Sequence, residues 1–427
     1  MALSTYTADT HSPWNSDRNA QVGNECRTND AGAAPDKPAK TKLVRITTVP
    51  ISLKVLLRRQ LQYMSGHFDV LAVSTPGEVL AEVSSVERVR TAGVAMTRAI
   101  TPVQDLKALW RLYCLFRKER PAIVHTHTPK AGLLGMMAAR LAAVPIRMHT
   151  VAGLPLMEQK GMKRKVLELV ERLTYGCATR VYPNSTNLAR FILNNRFCTV
   201  GKVRVLGNGS SNGIDTEYFQ CDEAMQSAAG SLRDKMGFGQ HDFVYVFIGR
   251  LVKDKGIEEL VAAFSTLQQR YGHLKLLLVG PYEEELDPLS EETKASIQQN
   301  PAIVQVGFQQ DIRLWLLAAQ VLVFPSYREG FPNVPMQAGC MHLPSIVTDI
   351  NGCNEIIQDR ENGLVIPAKD RLALQQAMEL VMTDGRLLCH MQSRARSMIT
   401  ARYDQQLFWD LLLREYKDQL KQHGMVS

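Results

Sequence analysis

Between residues 43 and 206 the chain alternates short apolar runs with longer stretches in which apolar positions recur every three or four residues. The runs at 43–49, 68–74, 122–126, 146–151, 179–182 and 203–206 are rich in Val, Ile and Leu and predict strands, the first stopped by Pro50. Helical spacing is predicted over 52–64, 102–118, 131–142, 162–175 and 187–194. Residues 207–213, Gly-Asn-Gly-Ser-Ser-Asn-Gly, are turn chemistry that breaks the alternation, and 215–239 is polar with one helix. The alternation restarts at 243–248 and continues with strands at 275–279, 303–306, 321–324, 345–347 and 363–366. Strand and helix repeated at this spacing predict right-handed β-α-β units and parallel sheets. The fold class is therefore α/β, with two successive doubly wound domains over 42–213 and 214–403 and a ligand cleft between them at the carboxyl ends of their strands. A last helical segment, carrying Leu407, Leu411, Leu412, Tyr416 and Leu420, is expected to make 404–427 a helix that packs back on the first domain.

The length of 427 residues fits two or three folded units. Residues 1–41 are too polar to offset chain entropy and are expected to form a disordered tail. No apolar run of about 18 residues offers a membrane span, and the first residues lack the basic-then-apolar order of a secretory signal. A cytoplasmic protein, or one peripheral on the inner face of the cytoplasmic membrane, is the expectation. Eight cysteines without a C-x-x-C pair suggest reduced thiols, and no clustered Cys and His set suggests a metal site, so no metal or cofactor is expected.

Lys plus Arg number 50 against 42 Asp plus Glu, a net charge of +8, but the basic residues are spread along the chain instead of forming one patch, which argues against nucleic acid. Two local concentrations exist, Lys54, Arg58 and Arg59, and Lys160, Lys163, Arg164 and Lys165. They read either as solvated helix faces or as surfaces attracted to anionic lipid.

Three passages carry candidate chemistry. His125-Thr-His127-Thr-Pro-Lys130-Ala-Gly132 lies where a strand gives way to a helix, so His127 and Lys130 can flank an anion at the helix N-terminus. Gly249-Arg250-Leu-Val-Lys-Asp-Lys255-Gly256 links the first strand of the second series to its helix, and its two cations beside a helix start suit a diphosphate. It lacks the P-loop pattern. In Glu329-Gly330-Phe331-Pro-Asn333-Val-Pro-Met-Gln337 a carboxylate stands on a turn whose N–H groups can bind phosphate or sugar oxygens, and Asp349 to Glu355 adds a second glycine turn with a carboxylate.

Together these passages resemble the retaining GT-B glycosyltransferases of family 4, the glycosyl transferases group 1, over about residues 42–420. Gly249, Arg250, Lys255 and Gly256 match that family's G-R-x-x-x-x-K-G. The E-x₇-E signature falls on Glu329 and on Gln337, where a glutamine replaces the second glutamate. The resemblance implies two Rossmann-like domains facing a cleft. It implies a nucleotide-sugar donor, more often UDP- than GDP-linked, held by Gly249, Arg250, Lys255, Glu329, Gly330, Phe331, Asn333 and Gln337. Arg250, Lys255, Glu329 and His127 are the implied catalytic residues, with His127, Lys130 and His149 on the acceptor side. Ala152 stands where the family usually has a cleft histidine, with His149 as a stand-in, and Val49-Pro50-Ile51-Ser52 replaces a Gly-Gly turn. The passage 125–135 is similar to members that build bacterial capsule, O-antigen and exopolysaccharide, which implies a glycan acceptor, polyprenyl-diphosphate-linked, and peripheral contact with an anionic membrane. The alternatives are an inactive GT-B scaffold, suggested by Gln337 and Ala152, and a nucleotide-sugar 2-epimerase, for which Glu329 and Glu355 are few carboxylates.

Overall fold

In a computed structural model, residues 40–425 are described, apart from 98, 100, 155, 157–159 and 286. The expected tail, save its last two positions, lies outside the described residues. Among the described residues twelve strands form two sheets. The first holds β1 (Lys42–Ile46), β2 (Asp69–Ser74), β3 (Arg90–Gly93), β4 (Ile123–Thr126), β5 (Ile146–Val151) and β6 (Arg180–Pro183). The second holds β7 (Phe243–Ile248), β8 (Leu274–Val279), β9 (Ile303–Gln305), β10 (Val321–Phe324), β11 (Ser345–Thr348) and β12 (Gly363–Ile366). Helices α1 (Pro50–Leu56), α2 (Gln60–Ser65), α3 (Glu78–Glu87), α4 (Pro102–Glu119), α5 (Pro129–Leu141), α6 (Gly161–Cys177) and α7 (Thr186–Asn194) accompany the first sheet. With the second go α8 (Glu223–Lys235), α9 (Ile257–Arg270), α10 (Glu291–Gln299), α11 (Arg313–Leu317), α12 (Asn333–Cys340), α13 (Cys353–Ile356), α14 (Arg371–Thr383) and α15 (Gly385–Tyr403), before the last helix α16 (Gln405–Gln422).

The strand orders are β3-β2-β1-β4-β5-β6 and β12-β11-β10-β7-β8-β9, with every pairing parallel. Counted from its own first strand, each sheet has the same order and reverses direction between its first and fourth strands. Such a reversal opens a crevice at the strand carboxyl ends, β1 with β4 in one sheet and β7 with β10 in the other.

Two expectations change. β3 was not predicted, because Arg-Thr-Ala-Gly is short and half polar, as an edge strand tolerates, whereas 203–206 contributes only a single bridge from Val203 to Val181. The helix expected over 52–64 is broken into α1 and α2 by Arg59 in the left-handed region at φ 63°.

α16 packs against the first sheet's side of the molecule. Phe408, Trp409, Leu412, Tyr416 and Leu420 join a core with Leu43, Leu61, Ile123 and Ile146. Each such buried side chain contributes on the order of 2 kcal/mol. Polar groups fix the register: the Tyr416 hydroxyl lies 2.6 Å from His125 Nδ1, and Glu415 accepts from Tyr182 (2.8 Å) and from Arg204 (2.5 Å).

Candidate active site

The two crevices meet at one cavity of about 400 Å³. Its walls come from His127 to Pro129 after β4, 149–154 at the end of β5, Glu171 of α6, Arg250, Asp254 and Lys255 after β7, and 328–330 after β10. The backbones close on each other at one point, where a Cβ on Gly330 would stand 1.8 Å from the Ala152 carbonyl oxygen. Only glycine fits there. A second glycine requirement shapes the cation loop: Gly256 caps α9 at φ 71°, and a Cβ would fall 2.2 Å from the Pro325 carbonyl oxygen.

On the second sheet's wall, Lys255 Nζ lies 2.5 Å from Glu329 Oε1, with both side chains largely shielded from solvent, and 5.8 Å above the Phe324 ring. Arg250 is half exposed and pairs with Glu283. Arg328 is bidentate to Asp254 Oδ2 (2.8 and 2.9 Å), which ties the β10 turn to the cation loop. The Asn351 amide donates to the Glu329 carbonyl (3.2 Å) and to the Gly330 carbonyl (2.5 Å), holding the Glu329 turn from below. Glu355, noted above as a second carboxylate, does not enter the cavity. It accepts from the Thr186 and Asn187 N–H groups (2.7 and 3.0 Å) at the start of α7 and so clasps the halves together.

On the first sheet's wall, His127 is buried and its Nε2 faces Arg45 Nη2 at 2.8 Å. A guanidinium only donates, so Nε2 accepts and the ring proton sits on Nδ1, which has no partner among the described residues. Burial first, then Arg45, His125 and His149, hold the His127 pKa well below that of a free imidazole. Arg45 thus holds the Nε2 side of the ring and leaves Nδ1–H as its unpartnered donor among the described residues. His149 is also on the cavity wall; burial lowers its pKa to about 4, and its Nδ1 lies 2.7 Å from Thr126 Oγ1. Gly132 of α5 makes room for it, since a Cβ there would lie 2.4 Å from the imidazole.

Lys130 is a correction. Expected beside a bound anion, it instead donates to both Asp105 oxygens (2.7 and 2.9 Å) and to the Ala99 carbonyl, tying α5 to α4 outside the cavity. His125 is likewise turned away, between Tyr416 and Thr150 (2.8 Å). Sequence reasoning missed Glu171. It is 6% exposed, lines the cavity, and burial pushes its carboxyl up to about 7, offset in part by Tyr175. Its one signal is its place on α6, diametrically opposite the helix's apolar stripe of Met162, Val166, Leu169 and Leu173.

The expected donor-binding set does not all fall in one cavity. Gly249 closes β7 at φ 156°, Phe331 packs edge-on against Tyr403 (5.4 Å), and Asn333 and Gln337 of α12 line a neighbouring cavity of about 460 Å³. That second cavity also takes Lys54, Arg58 and Arg59, which are therefore cleft residues. Lys54 pairs with Glu82 (2.5 Å) and Arg59 with Asp215 (2.6 Å). Among the described residues, no group of three or more His, Cys, Asp or Glu gathers as metal ligands would.

Residues 242–384 match the family described as Glycosyl transferases group 1, and residues 56–209 match the Glycosyl transferase 4-like domain. The chain is 34% identical over 384 residues to the capsular polysaccharide biosynthesis glycosyltransferase CapM of Staphylococcus aureus, covering 89% of this chain and 98% of that one. It is 30% identical over 310 residues to the UDP-Gal:alpha-D-GlcNAc-diphosphoundecaprenol alpha-1,3-galactosyltransferase of Escherichia coli, covering 71% and 77%. In fold it superposes on Anabaena Alr3699/HepE in complex with UDP with a TM-score of 0.74 at 16% identity, over 89% of this chain and 100% of that one. With the paired crevices and the Arg250, Lys255 and Glu329 constellation between them, these matches make the chain a GT-B glycosyltransferase of the glycosyl transferases group 1 family.

Proposed function

We propose that the protein transfers a sugar from a UDP-linked donor to a hydroxyl of a polyprenyl-diphosphate-linked glycan, with retention at the anomeric carbon, in assembly of a surface polysaccharide such as capsule at the inner membrane face. The observation that carries this reading is the meeting of Arg250, Lys255, Glu329 and Gly330 in one cavity at both sheets' crevices. The relatives add support: one is named as acting with UDP-Gal on a diphosphoundecaprenol-linked GlcNAc, and the HepE structure holds UDP.

In this reading the donor diphosphate lies between Arg250 and Lys255, and Glu329 accepts hydrogen bonds from sugar hydroxyls. Gln337 and Asn333 meet the nucleoside in the adjoining cavity, where the glutamine amide can bond to ribose hydroxyls. The bond from the anomeric carbon to the phosphate oxygen breaks while one to the acceptor oxygen forms on the same face. The acceptor proton passes to the departing phosphate. Arg250 and Lys255 offset the charge as it develops, and no metal ion or cofactor takes part. His127, His149 and Glu171 are the polar groups on the acceptor's side.

The test is proton NMR of the product formed from UDP-sugars and a diphosphate-linked acceptor. An anomeric configuration equal to the donor's, lost together with turnover in Lys255→Ala, is the expected result. An inverted product, or no transfer from any UDP-sugar, overturns the reading.

A further inference from the structure

An arginine is almost never fully buried unless a carboxylate pairs with it. Arg45 on β1 has no solvent exposure, and among the described residues no carboxylate bonds to it. The one carboxylate whose charge acts on it, Glu87, is turned instead to the N–H groups of Arg59 (2.6 Å) and Gln62 (3.0 Å). The guanidinium is spent on two neutral side chains. Its Nε (3.1 Å) and Nη2 (2.8 Å) both face His127 Nε2, and Nη2 also donates to Gln60 Oε1 at 2.5 Å.

Gln60 is held in turn. Its amide donates to Asn212 Oδ1 (2.9 Å) and to the Ser211 carbonyl (3.2 Å). The same Asn212 oxygen accepts from the Trp409 indole of α16 (2.7 Å), while the Asn212 amide donates to the Arg58 carbonyl (3.0 Å). A polar chain therefore runs from α16 and the 207–213 segment, which leads from the first sheet to the second, through Gln60 and Arg45 to the cavity wall at His127. No side chain in it is more than 9% exposed. The left-handed residue Arg59 belongs to the same construction. It makes Gln60 the first residue of α2, and Glu87 secures that strained turn by accepting from the N–H groups on either side of Gln60.

Two buried side-chain atoms of the chain are left without a partner among the described residues, Arg45 Nη1 and His127 Nδ1, and of the two residues only His127 lies on the cavity wall. Its ring has little freedom to turn toward a protein acceptor. It lies against the His125 ring, with centroids 4.3 Å apart and planes 34° apart, and His125 is itself held at both nitrogens by Tyr416 (2.6 Å) and Thr150 (2.8 Å).

We propose that Arg45 is a positioning residue for the acceptor: it holds His127 in the tautomer whose Nδ1–H donates to an oxygen of the bound glycan, and Gln60 and Asn212 anchor it to the segment between the two domains. The glycan oxygen completes a hydrogen-bonded chain that the protein leaves one bond short. A carboxylate behind an imidazole, as in a Ser-His-Asp triad, makes the far nitrogen a better base. A guanidinium behind it works in the opposite sense and makes the far N–H a better donor. The oxygen it takes is one that does not react, because a hydrogen bond given to the attacking hydroxyl's oxygen would draw on the electron pair that forms the new bond. This inference rests on the acceptor-side reading of His127 given above.

Two measurements test it. The first is proton–nitrogen NMR of the histidine-labelled full chain without substrate, with the His127 signals assigned by their loss in His127→Ala. The wild type should carry the His127 proton on Nδ1 alone. Arg45→Lys should keep that tautomer, because an ammonium also only donates, and Arg45→Met should let Nε2 compete for the proton. The second is a double-mutant cycle of Arg45→Met with His127→Ala. Arg45→Met should lose about twofold to tenfold in kcat/KM for the acceptor, the worth of one hydrogen bond, leave UDP affinity unchanged, and cost nothing further once His127 is alanine. A wild-type ring protonated on Nε2 or on both nitrogens overturns the proposal. So does a wild-type tautomer in Arg45→Met, or a loss of equal size with and without His127, which is what a purely structural arginine would give. The wild-type spectrum decides the tautomer even where Arg45→Met does not fold. Absence of sugar transfer by the wild type fails the functional reading, whereas the tautomer is read without substrate, so the two failures are told apart.

Discussion

Replacing Glu171 by glutamine should stabilise the protein in alkaline solution and do much less in acid. The carboxyl is buried and its pKa is raised to about 7, against an ordinary value near 4.5. The folded state therefore binds the proton more tightly than the unfolded chain, so stability declines as pH rises from about 4.5 to about 7 and levels off on either side. At about 1.36 kcal/mol per pH unit the full decline is about 3 kcal/mol, with roughly 2 kcal/mol of it falling between about pH 5 and pH 8. Glu171→Gln keeps the shape and a hydrogen-bonding oxygen but cannot ionise, so it escapes the decline. Urea unfolding of wild type and variant at about pH 5 and pH 8 reads the difference directly: the variant's relative stability should rise by roughly 2 kcal/mol from the lower to the higher pH. A difference that does not change with pH, or a variant that loses ground at pH 8, refutes the claim that this carboxyl is held in a poorly solvating wall. A carboxyl retained at that cost belongs to function, and turnover should fall in the variant even as stability rises.

Three further outcomes follow from the geometry. Arg45 is fully buried with Gln60 and His127 as its partners and, among the described residues, no carboxylate in hydrogen-bond contact, so Arg45→Met should change unfolding free energy by less than about 2 kcal/mol while releasing the His127 tautomer and lowering turnover. Gly256→Ala should destabilise by about 2 kcal/mol or more in a denaturant titration, because φ 71° and the Pro325 carbonyl leave no space for a Cβ. Arg250→Ala should weaken UDP in calorimetry by about tenfold to a hundredfold, the value of a hydrogen bond to a charged group.

The strands of the second sheet were legible because a buried parallel strand is a continuous Val, Ile and Leu run, and all six expected there are present. β3 escaped because its edge position asks little of Arg90-Thr-Ala-Gly93, and the break at Arg59 escaped because nothing in Arg-Arg-Gln announces a left-handed residue. In the site, Arg250, Lys255 and Glu329 were readable from local turn chemistry. What stayed hidden were relations between distant positions. Lys130 looks free until Asp105, 25 residues earlier, comes to it, and Glu355 looks like a cleft carboxylate until it caps α7 from 168 residues away. Glu171 sits among Leu, Val and Arg in an amphipathic helix and reads as a solvated position until its angle on α6 is set against the apolar stripe.

The most direct test of the donor site is titration calorimetry of UDP into the wild-type protein and into Lys255→Ala. The site described here predicts saturable binding to the wild type, weakened at least about tenfold in the variant as one charged contact to the diphosphate is lost. No saturable binding of UDP at about millimolar concentration, or equal affinity in both proteins, would contradict it.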